Sequence, residues 1–402
     1  MSAPTTVEPG HRHSAPPASK AAPRTGELAT LVRSSITFLV FLVIFAGLSA
    51  WLGGSFVNAE SRMFDFHQNV PLILLAFGAV VVLSVGQFDL SIGATATLTA
   101  YLSVGLFNDQ GLPMPLALLA CLVVGVVTGL FNALLIVRME INAFIATIGT
   151  GGVYLGLSRV YGGGTVLVPD ALPGWFAGRE SWASFATKVP GVVMWAGLAV
   201  IVALAAVRVV QMLRRPDGST MLVRVKAGLT VLAALLAVVV WPTLSGLVPL
   251  TVVFALVVGV VLWLMFTRTV FGRYLYATGG NARAARLAGV KVQRQTTAAF
   301  VLTGVLAALA GIVLAANQGT VSVDAAQPML LPAYAAAFLS TVLLSSGRLH
   351  VWGCLLGAVF VVWIRQALII GGVPFTWAEV VNGGVLVAAV AASRLLTRGG
   401  KS

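Results

Sequence analysis

Long apolar runs separated by short polar breaks fill the chain from residue 34 to residue 393. Many of these runs approach the roughly 20 residues that a helix needs to cross a hydrocarbon core of about 30 Å. We therefore predict an all-α membrane protein, a polytopic helical bundle of about 10–12 transmembrane helices, some of them broken or only half-crossing. The predicted spans lie near residues 34–53, 69–86, 90–107, 113–137, 142–160, 190–212, 226–241, 248–267, 296–316, 331–345, 351–370 and 376–393.

Composition and charge agree with a membrane protein and set its orientation. Of 402 residues, 58% are hydrophobic and only 9% are charged, which is outside the usual range of soluble domains. The net charge of +13 does not indicate nucleic acid, because the cations lie in loops between apolar runs. One side of the predicted bundle collects 20 of the 25 Lys and Arg residues, so we expect both termini to be cytoplasmic. Membrane lipid is the expected surrounding.

Composition also divides the chain into regions. Residues 1–33 are rich in Pro, Ala, Ser and Thr and predict a disordered cytoplasmic tail, and residues 397–402 predict a second, short one. The transmembrane domain is predicted between them, at 34–396. Within it, residues 170–248 contain an additional pair of apolar runs around a basic linker, and residues 268–295 form a basic cytoplasmic loop.

The break between the second and third spans places a carboxylate, Asp89, between two apolar runs. A bare charge at membrane depth costs at least a few kcal/mol, so something must satisfy it. Two interpretations remain open and are compatible. Asp89 caps the following helix through backbone donors, or it faces a polar passage, together with Ser91, and meets the hydroxyl groups of a solute.

A second break is predicted from Asn142 to Thr165, where glycine and threonine are dense. Such composition weakens a helix and frees backbone groups, which membrane depth tolerates only where they face protein or water. We expect a solute pathway here, with Phe144, Thr147 and Thr150 as tentative lining residues. The glycines at 162–164 are better explained as an ordinary loop at the membrane edge.

Two spans carry faces of small residues, which let helix backbones approach closely in lipid. One face comprises Gly125, Thr128 and Gly129, and the other lies between Gly304 and Gly311. Static packing is the favoured interpretation, and a mobile helix pair that lines a passage is the alternative.

The basic loop contains six cations between Arg268 and Arg294 and no acid. Within it, Asn281 suits a helix N-cap, residues 282–288 favour helix, and Gly289 suits a left-handed C-terminal cap. The pattern predicts a short, self-contained helix on the cytoplasmic side. It indicates either a docking site for a partner or a solvated charge cluster at the membrane surface.

Catalytic and metal-binding patterns are missing from the sequence. Cys121 and Cys354 lie in apolar spans without metal-ligand spacing, and no run matches a nucleotide-binding P-loop, since Leu395 stands where its first glycine belongs. Paired catalytic groups in apolar spans are also lacking. We therefore expect a protein that is not itself an enzyme and binds no cofactor.

Several segments, in this order along the chain, resemble the membrane-spanning permeases of ribose-type ABC sugar importers. The resemblance covers most of residues 69–392, and its most specific part is GRYLYATGGNARAARLAGV. The segments that carry it are GQFDLSIGATATLTA (86–100), INAFIATIGTGGVYLGLSRVYGGG (141–164), TRTVFGRYLYATGGNARAARLAGVKV (267–292), GVLAALAGIVLAAN (304–317) and LLPAYAAAFLSTVLLSSGRLHVWGCLLGAV (330–359).

The resemblance implies the transmembrane subunit of an ATP-driven monosaccharide importer. Its implied partners are a second copy of the permease, an extracytoplasmic sugar-binding protein and a cytoplasmic ABC ATPase, which would carry the ATP and Mg. The short loop helix would be the element that couples to the ATPase. The coupling residues that it implies are Gly279, Gly280, Asn281, Arg283, Ala284, Ala285, Arg286, Leu287 and Gly289.

The chain departs from the family pattern in two places. One is the insert at 170–248, which concerns the substrate, and the other is a turn at 339–347. The extra sequence at 170–248 resembles an insert in xylose importers, which favours a pentose such as xylose or ribose. Residues 339–347 stand where many members have a more glycine-rich turn. An ion-coupled secondary sugar transporter is the alternative function, although it requires coupling residues that the spans lack.

Overall fold

A computed structural model describes the chain at residues 43–214, 221–343 and 348–398. The predicted tail at 1–33, the start of the first span and residues 399–402 lie outside this range. The described residues are almost entirely helical, and their extended pairing is confined to two isolated bridges. The helices are α1 (Val43–Leu52), α2 (Gly54–Val57), α3 (Ala59–Gln68), α4 (Val70–Ser84), α5 (Ile92–Asn108), α6 (Met114–Ala133), α7 (Ala143–Tyr161), α8 (Gly191–Leu213), α9 (Met221–Leu244), α10 (Leu250–Arg268), α11 (Val270–Gly280), α12 (Ala282–Leu287), α13 (Val292–Gln318), α14 (Leu330–Leu343), α15 (Val351–Ile370) and α16 (Ala378–Arg398).

A helix overlaps every predicted span, and the polytopic all-α class is confirmed. Within the described residues, six helices are long and apolar enough to cross a membrane, and α3 with α4, bent by 56°, would make a seventh. Three further helices are shorter: α4 has 15 residues, α5 has 17 and α14 has 14. These short helices match the short apolar runs, and which of them cross only half of the membrane stays a prediction.

The centre of the bundle is formed by α4, α5 and α13, whose side chains are buried on nearly all sides. A helix that is hydrophobic all round belongs in such a central position. α13 packs against α4, α5 and α6, and α14 packs against α4, α15 and α16. The short central helices are therefore enclosed by protein, so their ends are sheltered from lipid.

The two faces of small residues pack against each other where α6 crosses α13. A Cβ added at Gly125 would lie 2.6 Å from the carbonyl oxygen of Gly304, and one added at Gly304 would lie 2.1 Å from that of Gly125. Real Cβ atoms do not approach so closely, so only glycine permits this crossing. The geometry supports the static-packing interpretation, with backbone-to-backbone contact at the centre of the bundle.

The second predicted break is wrong. α7 runs without interruption from Ala143 to Tyr161, through the glycine and threonine residues at 147–156. The glycines at 162–164 follow it in a turn, in agreement with the loop interpretation, and Gly163 and Gly164 have positive φ. The hydroxyl of Thr147 bonds within the helix, where it donates to the Ala143 carbonyl at 2.8 Å. Contacts with neighbouring segments then override the weak helix propensity of this composition.

The additional helix pair, α8 and α9, forms a peripheral hairpin within residues 170–248. Its two helices pack against each other, and its ends are held together where the Val189 N–H donates to the Val248 carbonyl at 2.9 Å. Most apolar side chains of α8 are exposed, as suits a surface that faces lipid. The role of this insert stays a prediction.

Candidate functional site

The break between α4 and α5 begins at a left-handed glycine. Gly86 has φ +78°, its N–H donates to the Leu83 carbonyl, and the Gln87 N–H donates to the Val82 carbonyl. This pair of bonds is a Schellman cap, which ends α4 and satisfies its last carbonyls. α5 begins at Ile92, six residues after Gly86, so a short irregular segment separates the two helices.

Asp89 lies inside this segment and is 2% exposed. Its Oδ1 accepts from the Ser91 N–H at 3.0 Å and from the Ser91 hydroxyl at 2.5 Å. The N-cap of α5 is Ser91, so the prediction that Asp89 is the N-cap is wrong, and Asp89 lies two residues before it. Its carboxylate nevertheless binds backbone at the start of α5, which keeps part of the structural role that the sequence predicted.

Asn132, on α6, joins this carboxylate to α7. Its Nδ2 donates to the Ser91 hydroxyl at 2.8 Å and lies 3.4 Å from both carboxylate oxygens of Asp89. Its Oδ1 accepts from the Thr150 hydroxyl at 2.7 Å. The side chains of Asp89, Ser91, Asn132 and Thr150 thus form one buried polar chain, which we call the Asp89 cluster.

The backbone of the break is held by two other helices. The hydroxyl of Tyr334, on α14, accepts from the Asp89 N–H at 2.8 Å and donates to the Asp89 carbonyl at 2.9 Å. The Leu90 N–H donates to the Thr147 hydroxyl at 3.0 Å. Buried backbone groups that helices would normally satisfy are therefore satisfied by side chains, which keeps the irregular segment in place.

Two exposed aromatic side chains lie at the edges of this region. Phe88, next to Asp89, stacks on Tyr334 with ring centroids 5.9 Å apart. Phe144, near the start of α7, is more than half exposed and contributes only its N–H, which donates to Asn142. Phe144 therefore lies outside the Asp89 cluster. Of the other predicted pathway residues, Asp89, Ser91 and Thr150 belong to the cluster, and Thr147 accepts from the N–H of Leu90 within the break.

The short helix predicted within the basic loop is confirmed as α12, and its cytoplasmic position stays a prediction. Asn281 caps it, since its Oδ1 accepts from the Ala284 N–H at 2.9 Å, and Gly289 has φ +82°. Arg283, Arg286 and Leu287 project from it, and Leu287 is 85% exposed. Ala285 is 5% exposed, so it packs against the protein and is not available to a docking partner.

The six cations around α12 lie free at the surface. All are exposed, and none forms an ion pair with a carboxylate in the part of the chain that the structure describes. Like charges this dense repel one another unless a partner or anion neutralises them. They are Arg268, Arg273, Arg283, Arg286, Lys291 and Arg294.

One predicted coupling residue touches the Asp89 break directly. A Cβ added at Gly279, at the end of α11, would lie 2.2 Å from the Ser84 carbonyl oxygen and 3.1 Å from the Gly86 nitrogen. Gly280, the next residue, would meet nothing within 4 Å. The segment predicted to be cytoplasmic is therefore in backbone contact with the point where α4 ends and the break begins.

Sequence reasoning missed Asn132 and Tyr334. Both are polar residues inside otherwise apolar runs, which is the signal that singled out Asp89. Nothing in the sequence placed them beside Asp89, because they lie 43 and 245 residues away from it along the chain. Within the described residues, no group of three or more His, Cys, Asp or Glu is placed to hold a metal ion.

A polytopic bundle with a buried polar helix break and an exposed basic helix is the architecture expected of a membrane transport subunit. Residues 66–390 match the family described as "Branched-chain amino acid transport system / permease component", and the chain belongs to this family. This confirms the resemblance to permeases of ABC importers. The chain is a multi-pass protein of the bacterial inner membrane and a membrane subunit, not a member of a catalytic family.

Relatives named Autoinducer 2 import system permease protein LsrC are similar over most of their length. The protein from Salmonella typhi is 29% identical over 355 residues, which are 88% of this chain and 84% of that protein. The protein from Enterobacter sp. strain 638 is 30% identical over 357 residues, with the same coverage of 88% and 84%. The protein from Escherichia coli K12 is 28% identical over 353 residues, again covering 88% and 84%. No solved structure matches the chain.

Proposed function

We propose that this chain forms the passage of an ATP-binding-cassette importer for a small sugar-type solute. In this proposal a separate cytoplasmic ATPase subunit binds ATP and Mg and supplies the energy. An extracytoplasmic binding protein delivers the solute, and a second permease copy completes the passage. The chain itself binds no cofactor and undergoes no covalent chemistry.

The observation that carries the proposal is the contact between Gly279 and the start of the Asp89 break. The break is the polar, non-helical point at the centre of the bundle, and Gly279 belongs to the cytoplasmic segment. A shift of α11 towards α4 would press on the Ser84 carbonyl, since a Cβ at Gly279 would already lie only 2.2 Å from that oxygen. A motor that moves the cytoplasmic segment would therefore act on the passage through these atoms.

The chemistry of α12 suits a docking site for the ATPase. Arg283 and Arg286 are three residues apart on an exposed helix and so share one side, where both can pair with carboxylates of a partner. Leu287 adds an apolar side chain that is 85% exposed. An apolar contact surrounded by cations is typical of a protein interface, in which the buried apolar part gives affinity and the charges give specificity.

The Asp89 cluster suits a polyhydroxylated solute. Its groups are a carboxylate, an amide and hydroxyls, which here bond to one another. In this proposal they exchange these bonds for bonds to sugar hydroxyls when the passage opens. The relatives named above are autoinducer 2 importers. This supports a small sugar-like substrate, among which the pentoses xylose and ribose remain our specific proposals.

The proposal is tested by reconstituting the permease in nanodiscs with its ATPase and binding protein and measuring ATP hydrolysis. We expect one of D-xylose, D-ribose and autoinducer 2 to stimulate hydrolysis. L-Leucine belongs in the panel because the family description names branched-chain amino acids. Stimulation by L-leucine alone would contradict the sugar-type assignment, and sugar uptake without an ATPase would favour a secondary transporter.

The coupling step has its own test in the double variant Arg283→Glu/Arg286→Glu. Reversal of both charges is expected to abolish uptake and co-purification of the ATPase, while the permease still inserts, because both side chains are exposed. Arg179→Glu is the matched control, an exposed arginine on the side predicted to be extracytoplasmic. Normal uptake in the double variant would remove α12 from the mechanism.

A further inference from the structure

The exposed side of α10 continues directly into the basic loop. Val257, Val261 and Leu264 are exposed and lie three or four residues apart, so they form one stripe along the helix. In a chain that crosses the membrane, such a stripe of valine and leucine contacts the lipid tails. Arg268 is exposed four residues after Leu264, on the same stripe. Its guanidinium therefore lies at the end of the lipid-facing surface, where the lipid headgroups begin.

A tight corner at Thr269 joins α10 to α11. The Thr269 hydroxyl donates to the Met265 carbonyl at 2.5 Å and accepts from the Gly272 N–H at 3.2 Å, so one side chain bonds to both helices. A Cβ added at Gly272 would lie 2.3 Å from the Phe266 carbonyl oxygen, so the first turn of α11 packs closely against the last turn of α10. These contacts fix the direction in which α11 leaves α10.

α11 exposes a second stripe, which combines apolar, aromatic and basic side chains. Its members are spaced as on one face of a helix, and all are exposed: Val270, Arg273, Tyr274 and Ala277. Val270 leaves 48% and Tyr274 leaves 40% of its surface uncovered, whereas Leu275 on the other face is buried. Apolar, tyrosine and arginine side chains on one exposed helix face are typical of the boundary between the tails and the headgroups of a bilayer.

We propose that the corner between α10 and α11 binds the headgroup of an anionic phospholipid. Arg268 and Arg273 pair with its phosphate, because the planar fork of arginine matches the geometry of phosphate oxygens. Val270 and the ring of Tyr274 lie against the first methylenes of its tails. Neither arginine forms an ion pair with a carboxylate among the described residues, so a phosphate displaces no partner when it binds.

Lipid is favoured over the ATPase as the occupant of this corner, because the corner continues the lipid-facing stripe of α10. The proposed docking site for the ATPase is on a different helix, α12, which the extended residue Asn281 separates from α11. The inference rests on the membrane-spanning fold and not on the proposed import function. Its test needs neither an ATPase nor a solute, so either proposal can fail while the other stands.

Native mass spectrometry of the full chain, electrosprayed from detergent micelles, measures lipid binding directly. We expect the first phosphatidylglycerol to bind at least about tenfold more tightly than phosphatidylcholine, because each basic residue near an anionic headgroup contributes about fivefold. The double variant Arg268→Gln/Arg273→Gln is expected to reduce this preference to about twofold or less. Both side chains are exposed, so the variant should still fold. Should it fail to fold, Arg273→Gln alone decides the matter in the same measurement.

Arg283→Gln/Arg286→Gln is the matched control, because it removes the same charge from exposed positions on α12. It is expected to keep the preference for phosphatidylglycerol. The proposal is overturned if the unaltered chain shows no such preference, or if both double variants lose it equally, which would indicate a diffuse effect of net charge. Loss of ATPase co-purification in Arg268→Gln/Arg273→Gln, with the lipid preference intact, would also overturn it and assign the corner to the ATPase.

Discussion

The Asp89 cluster and α12 lie at opposite extremes of the same chain. The cluster is buried, and the polar side chains that form it bond to one another or to backbone. α12 is exposed, and the cations on and around it have no carboxylate partner among the described residues. Both are polar regions in a protein that is otherwise mostly apolar, yet only one of them is satisfied internally.

This difference separates what stabilises the permease from what it offers to a partner. Substitutions in the Asp89 cluster leave buried groups without partners and should destabilise the isolated chain. Substitutions of the exposed side chains of α12 remove no contact that stabilises the isolated chain. Their effects should therefore be measurable only when the ATPase is present. Gly279, which touches the break from the cytoplasmic segment, belongs to both regions.

The largest effect is expected for Asp89→Leu. Loss of the carboxylate leaves the Ser91 N–H and hydroxyl without their acceptor in a buried site, which we expect to cost about 3 kcal/mol of stability. Thermal unfolding in nanodiscs measures it. Asp89→Asn is the matched variant, and it should retain most of the stability because Asn keeps an acceptor oxygen at this position. A large loss of uptake in Asp89→Asn with undiminished stability would favour a direct role in the passage.

A smaller loss is expected for Gly279→Ala. Its Cβ would lie 2.2 Å from the Ser84 carbonyl oxygen, so the backbone must shift at a cost of about 2 kcal/mol. We expect lower thermal stability and ATP hydrolysis that no longer responds to the solute. Gly280→Ala is the control, since nothing lies within 4 Å of its Cβ, and it should behave as the unaltered chain does. Equal behaviour of the two variants would show that the Gly279–Ser84 contact does not couple the α11 segment to the Asp89 break.

Tyr334→Phe should cost about 1.5 kcal/mol. It removes the hydroxyl that bonds to both the N–H and the carbonyl of Asp89, while the ring that stacks on Phe88 is kept. The measurement is again thermal unfolding in nanodiscs. Tyr274→Phe is the control on an exposed ring, and a loss as large there would mean that the effect is not specific to the break.

The smallest effect on stability is expected for Leu287→Ala, below about 0.5 kcal/mol, because the side chain is 85% exposed. The same variant should retain roughly tenfold less ATPase in co-purification, since it removes an apolar contact at the proposed interface. Val160→Ala, at a residue 81% exposed on α7, should change neither quantity. Destabilisation of the isolated chain by Leu287→Ala would contradict the division between the two regions.

The sequence predicted correctly those features that depend on residues close together along the chain. The caps of α12, Asn281 and Gly289, could be read from sequence because a cap involves residues only a few positions apart. The break at Gly86 could be read for the same reason, since a glycine and a carboxylate between apolar runs signal the end of a helix. The continuity of α7 could not, because its glycines and threonines are supported by contacts with other segments.

The apolar runs by themselves determined that this is a polytopic helical membrane protein, because burial in lipid requires length and composition more than any particular contact. The sequence also determined where the basic residues lie along the chain and, through the caps Asn281 and Gly289, where the short helix α12 lies. Only the tertiary structure decided that Asn132, Thr150 and Tyr334 converge on Asp89, and that Gly279 touches the end of α4. These are contacts between segments far apart in sequence, and the packing of whole helices, not local propensity, brings them together.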